Sequence, residues 1–113
     1  MSEIGEHTEK FYFRVIGLLP EQIRFMRDAM SNIPIEDRQR KGRNDYVVSI
    51  ELSSSDICAA LRQNLMDNPL KVPFGIYVSL VTERDSDGLS IPQYICNFWK
   101  EIGGSLDFSF TVV

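Results

Sequence analysis

Arg38-Gln-Arg-Lys-Gly-Arg43 gathers four of the chain's twelve basic side chains into six residues, the densest set of chemistry-bearing groups in the sequence. Arg38, Arg40, Lys41 and Arg43 could hold a phosphate or an acidic partner patch through charge-assisted hydrogen bonds. The plainer expectation is a solvated loop, since isolated charge clusters usually are that. Nucleophilic catalysis asks for more than this chain holds. A Ser or Cys nucleophile needs a base within hydrogen-bond reach, most often His, and the one histidine, His7, stands in a polar N-terminal stretch. Glu51 and Asp107 could pair as acid and base, but carboxylates on an exposed sheet serve first to keep it soluble. Gly103-Gly104 follows a helical stretch, the wrong end for cradling an anion. No catalytic residue is assigned, and an enzyme is not expected.

Metal chemistry fares no better. Cys58 and Cys96 stand 38 positions apart, with no Cys-x-x-Cys pair and no histidine near either in sequence. A zinc site needs clustered ligands, so both thiols are expected to be small apolar groups on helices. Neither metal nor cofactor is expected.

The charge balance points to a partner class. The formal net charge is −4, and setting aside the four bases of residues 38–43 leaves eight bases against sixteen acids, a balance of −8. An acidic body repels nucleic acid, whose phosphates demand Lys and Arg, and steers toward a basic protein surface. No apolar run approaches the roughly 20 residues of a membrane span. The N-terminus, MSEIGEHTEK, is acidic where a secretory leader is basic and then apolar. A cytoplasmic protein without membrane contact is expected, in a reducing compartment that disfavours a disulfide.

These residues need elements to position them. With 113 residues, 43% of them hydrophobic, the chain can bury one core. Residues 1–9 are expected to form a flexible tail and 10–113 a single α+β domain. Phe11–Ile16 alternates as a strand ended by Gly17, and Pro20 opens a helix whose stripe is Ile23, Met26 and Met30, joined by Phe25 and Ala29. Pro34 stops that helix, and 35–45 is a charged loop turning at Gly42. Asp45–Leu52 is a second strand. Ser53-Ser-Ser-Asp56 caps a helix striped by Ile57, Cys58, Leu61 and Leu65. Phe74–Val81 is a third strand, Glu83–Gly88 a polar turn, and Ser90 the cap of a third helix lined inside by Ile91, Ile95, Phe98, Trp99 and Ile102. Leu106–Val112 is a fourth strand.

Alternation assigns two faces to the resulting β-α-β-α-β-α-β chain. Phe13, Ile50, Val78 and Phe108 belong to a uniformly apolar face and should be nearly buried. Tyr12, Arg14, Glu51, Tyr77 and Asp107 belong to a mixed face. Helices on both faces would demand continuous apolar strands, so the pattern predicts a two-layer sandwich, a four-stranded sheet with three helices on one face. Two β-α-β halves with right-handed crossovers would make it ferredoxin-like.

The stretch Phe11–Gly17, the Pro20-Glu21 helix start, Pro34 followed by Lys41-Gly42, and the ending Leu89-Ser90, helix, Gly103-Gly104-Ser-Leu-Asp-Phe108 resemble the bacterial domain-of-unknown-function family numbered 4279. The resemblance covers about Lys10 to Val113 and implies no catalytic residues. Two departures stand out: no Trp follows Lys41-Gly42, and the chain ends Phe-Ser-Phe-Thr-Val-Val.

Size, charge and the open mixed face together point to a small protein-binding domain of the immunity type, neutralising a basic toxin domain. Tyr12, Arg14, Glu51, Tyr77 and Asp107 would be its contact residues, since Tyr on an open sheet gives contact area at low entropic cost. One alternative is a ligand-binding or enzymatic domain for an anionic small molecule, using the basic segment. Another is a structural homodimer whose open faces close on each other.

Overall fold

The computed structural model describes residues 7–82 and 90–112. The polar turn expected at Glu83–Gly88 lies outside them, as do residues 1–6 of the expected tail. Within them the elements run β1 (His7–Leu18), α1 (Pro20–Ala29), β2 (Glu36–Gln39), β3 (Tyr46–Glu51), α2 (Ser55–Asp67), β4 (Phe74–Thr82), α3 (Gln93–Ile102) and β5 (Ser105–Val112). The chain is α+β, with one mixed sheet ordered β2-β3-β1-β4-β5. β1 is antiparallel to both β3 and β4, β2 is antiparallel to β3, and β4 and β5 are parallel.

Three boundaries differ from the sequence expectation. β1 starts at His7, inside the stretch read as tail, because residues 7–10 find partners along β4 from Thr82 to Ser79. It also runs through Gly17 to Leu18, with a register irregularity against β3 between Ile16 and Leu18. Gly17 has φ 102° there, so the strand bulges where a stop was expected. The cap of α3 is Pro92, not Ser90: the Pro92 carbonyl accepts the first helical bonds from the N–H groups of Ile95 and Cys96. Ser90 instead donates its N–H to the Glu9 carboxylate. The cap expected for α2 is in place, with Ser54 Oγ accepting from the Ile57 N–H.

The larger difference is a fifth strand. The sequence predicts a loop over residues 36–39, yet they pair along β3 from Glu36 opposite Ser49 to Gln39 opposite Tyr46. All four are exposed. This extra pass changes the topology. After α1 the chain returns as β2 and doubles back, so β1 and β3 lie antiparallel. All three β-α-β connections are parallel crossovers: β1-α1-β2 spans β3, β3-α2-β4 spans β1, and β4-α3-β5 joins neighbours. The order β2-β3-β1-β4 is thus the ferredoxin-like one, but its second half is built on α2 rather than α3, and α3 and β5 are added at the edge.

The core lies between the sheet and the helices. Phe11, Phe13, Val15, Val48, Ile50, Ile76 and Val78 from the strands meet Ile23 and Met26 of α1, Cys58 and Leu61 of α2, and Ile95 and Phe98 of α3. Phe13 is its aromatic centre, with ring centroids 5.8 Å from Phe74 and 6.1 Å from Phe98. Phe13 and Ile50 are 0% and Val78 1% exposed, as their alternation predicts. Phe108 is not: it is 56% exposed and Phe110 50%, although both lie on the helix side beside Val78 and Leu80. β5 is the outer strand, so these rings lack a neighbour on one flank. Phe25 and Trp99, expected on inner helix faces, are also exposed.

Candidate functional site

The mixed face positions the predicted contact residues through register alone. Glu51 of β3 lies opposite Tyr12 of β1, Tyr12 opposite Tyr77 of β4, and Tyr77 opposite Asp107 of β5. Residues opposite one another share a face, so the four form one lateral row across the sheet. The Tyr12 and Tyr77 rings are tilted by 43° with centroids 6.3 Å apart, within aromatic contact range.

Arg14 joins from the next row. Its neighbours there are Ser49 and Gly75, and Gly75 offers no side chain to meet it. The Arg14 guanidinium lies over the Tyr77 ring, its central carbon 3.8 Å from the centroid, a cation–π contact. Its Nε is buried and has no hydrogen-bond partner. Gly75 is required for a separate reason: a Cβ there would come within 2.3 Å of the Ser105 carbonyl oxygen, so β5 can pair closely only against glycine. Tyr12, Arg14 and Tyr77 are half-buried, while Glu51 and Asp107 at the row's ends are exposed. Asp107 accepts a hydrogen bond from Ser105 Oγ at 3.0 Å. Among the described residues no helix packs on this face.

The structure separates the basic segment's members. Arg38 lies on β2 opposite Val47, on the open face but away from the row. Arg40 is held by Asp45 through two hydrogen bonds of 2.7 Å, and Arg43 reaches the same carboxylate at 3.5 Å. The Arg43 N–H donates to the Arg40 carbonyl across a turn whose third residue, Gly42, has φ 74°, a conformation costly for any side chain. Arg40 thereby holds the Asp45 carboxyl below the usual carboxylate range, and Asp45 raises Arg40. Two of the four cations thus close a β-hairpin. Lys41 is exposed at its tip.

Half of the −8 balance expected outside residues 38–43 belongs to the described residues, which hold eleven acids against seven bases there. Of sixteen acids and twelve bases, five acids (Glu3, Glu6, Glu83, Asp85, Asp87) and one base (Arg84) lie outside the described residues, leaving eleven of each. The described residues are therefore neutral when the four bases of 38–43 are counted with them. The open face bears Lys10, Arg14 and Arg38 as well as Glu36, Glu51 and Asp107.

Other chemistry is sparse. Burial pushes the Cys58 thiol up to about 11, so it stays protonated at neutral pH, and Cys96 is a half-buried free thiol on α3. Tyr94 donates to the Leu52 carbonyl at 3.2 Å, and its own burial raises its pKa. Among the described residues no three His, Cys, Asp or Glu side chains cluster as metal ligands, and no helix is long and apolar enough to cross a membrane. A groove of about 560 Å³ between the end of α1 and α2, lined by Met30, Ile33, Ile57 and Ala60, had no signature in the sequence reading. Compared with protein-family models, curated proteins and solved structures, the chain matches nothing.

Proposed function

We propose that this chain is a protein-binding domain that engages a basic partner surface through its open sheet face, in the manner of a small cytoplasmic immunity protein neutralising a toxin domain. The observation that carries the reading is the Tyr12–Tyr77 pair with Arg14 stacked on it, on a face left uncovered by the helices. Tyr and Arg are the residue types that most often anchor interfaces, and half-buried rings lose little side-chain entropy on binding. Glu51 and Asp107 flank the anchors as rim carboxylates, where charge governs encounter rate more than final affinity. Because the described residues are neutral when the four bases of 38–43 are counted with them, this steering is local to the row. The resemblance to the family numbered 4279 adds no competing catalytic site. The alternative of an anionic small molecule loses support, since Arg40 and Arg43 are already engaged by Asp45.

Capture from extract of the source cells tests the reading. The wild-type chain is expected to retain a basic protein that the Tyr12→Ala/Tyr77→Ala variant retains at least tenfold less, with circular dichroism unchanged. For the captured partner, Glu51→Lys with Asp107→Lys should slow association severalfold at low salt and flatten its salt dependence. A partner held equally by wild type and the double-alanine variant would place the contact elsewhere.

A further inference from the structure

The two edges of the sheet are built in opposite ways. β2 is four residues long, Glu-Asp-Arg-Gln, all exposed, and Asp37 is tied to Arg27 of α1. Short, charged edges resist pairing with other strands. β5 is eight residues long with a single charge, Asp107. Its inner side pairs with β4 from Ser105 to Val112, leaving the outer backbone edge without a strand partner among the described residues. Phe108 and Phe110 stand half-exposed along that edge. Trp99 lies on the flank of α3 turned away from α2, which Glu101 meets through Arg62, and its indole N–H donates to the Gly104 carbonyl just before β5. The edge therefore offers a ladder of backbone groups with an aromatic rim above it.

We propose that this edge pairs with the β5 edge of a second copy of the chain, antiparallel about a two-fold axis at Ser109. The occupant is argued from self-complementarity. About that axis Phe108 of each chain meets Phe110 of the other on the helix side, giving two aromatic cross-strand pairs. Asp107 meets Thr111 on the open side. The two Asp107 residues are then four positions apart along the strand, about 14 Å at roughly 3.4 Å per residue, beyond the screening length of about 8 Å at physiological salt. An isologous contact of this kind closes at two copies and does not propagate, and the charged β2 edges cap the joined sheet. One strand edge and its aromatic rim fall below the roughly 1,200 Å² total of a standard interface, so the dimer is reversible and forms at micromolar concentration. The two open faces become one surface, with Tyr12 and Tyr77 presented twice. The inference stands independently of the partner proposed above.

Sedimentation velocity across about 5–500 µM, a range that brackets weak interfaces, is expected to show a monomer–dimer equilibrium. Phe108→Lys and Phe110→Lys should each weaken it at least tenfold. Ser109→Cys, which faces its own copy at about 4.5–5.5 Å between Cα atoms, should form an oxidised dimer readily. Thr111→Cys alone should not, and mixed Asp107→Cys and Thr111→Cys chains should, with the wild type reporting any background from Cys58 and Cys96. A chain monomeric throughout this range, whose edge would then await an extended segment of another protein, overturns the proposal. So does a dimer indifferent to both lysine variants, or self-linking by Thr111→Cys without Ser109→Cys.

Discussion

Strands β1 and β5 alternate aromatic residues in the same way, and the fold treats them differently. Phe11, Phe13 and Val15 lie between two neighbouring strands and beneath the helices, and Phe13 has no solvent exposure. Phe108 and Phe110 face the same side of the same sheet and keep about half of theirs. Period two decides which side of a sheet a residue faces. Place in the strand order decides how deep it goes, because an edge residue is shielded on one flank only.

Truncation should separate the two strands most sharply. Phe13→Ala is expected to cost about 3–5 kcal/mol of unfolding free energy, since it opens a cavity against Phe74 and Phe98. Urea denaturation would read it, and a loss near 1 kcal/mol would mean that the core collapses around the gap. Gly75→Ala comes next, at about 1–3 kcal/mol, because its Cβ cannot coexist with the Ser105 carbonyl in the present pairing. Amide exchange should then accelerate in β5 while the β1–β3 ladder stays protected. Loss of protection on both sides of β1 would show that β5 is as integral as the central strands. Phe108→Ala in the monomer should cost only about 1 kcal/mol, a surface-like value. A cost equal to that of Phe13 would erase the distinction.

The smallest effect concerns the opposite edge. Asp45 has a depressed pKa in the folded chain because Arg40, and secondarily Arg43, hold its charged form. Its contribution is therefore present above the unfolded-state value and lost as pH falls through the folded one. Asp45→Asn should be less stable than wild type at neutral pH, with thermal midpoints converging below the ordinary Asp range, near pH 4. Parallel curves down to pH 2 would show that the hairpin does not depend on this charge.

The same distinction explains what the residues announced in advance. Alternation in 11–16, 45–52, 74–81 and 106–112 put Phe13, Ile50 and Val78 in the core and brought Tyr12, Arg14, Glu51, Tyr77 and Asp107 to one face, because side-chain direction is a local property. The contacts within that set were not legible. Arg14 lies over Tyr77 because Gly75 happens to stand opposite it, and register is a tertiary outcome. Glu36–Gln39 gave no strand signal because neither of its sides is buried, and a strand without a buried side has no hydrophobic period to display. Without β2 the direction of β3 could not be inferred. Phe108 was placed on the correct side and at the wrong depth for the reason that separates β5 from β1. Arg40 and Asp45 were both visible, but their bidentate pairing depends on the hairpin that β2 creates.

The position of β1 has a consequence for biosynthesis. It is the first described strand in the chain and the middle one in the sheet, with β3 and β4 on its two sides. Its apolar side waits for β4 to be made before the sheet can close around it. From Leu18 to Thr82 takes about 3–13 s at a ribosomal rate of roughly 5–20 residues per second. Throughout that interval Phe11, Phe13 and Val15 form a nascent segment with at least one unpaired edge, open to chaperones or to neighbouring chains on the same message. Closure then depends on contacts distant in sequence, which are slow to form. Slowing translation downstream of β1 would lengthen that exposure, and the yield of folded chain should fall with it.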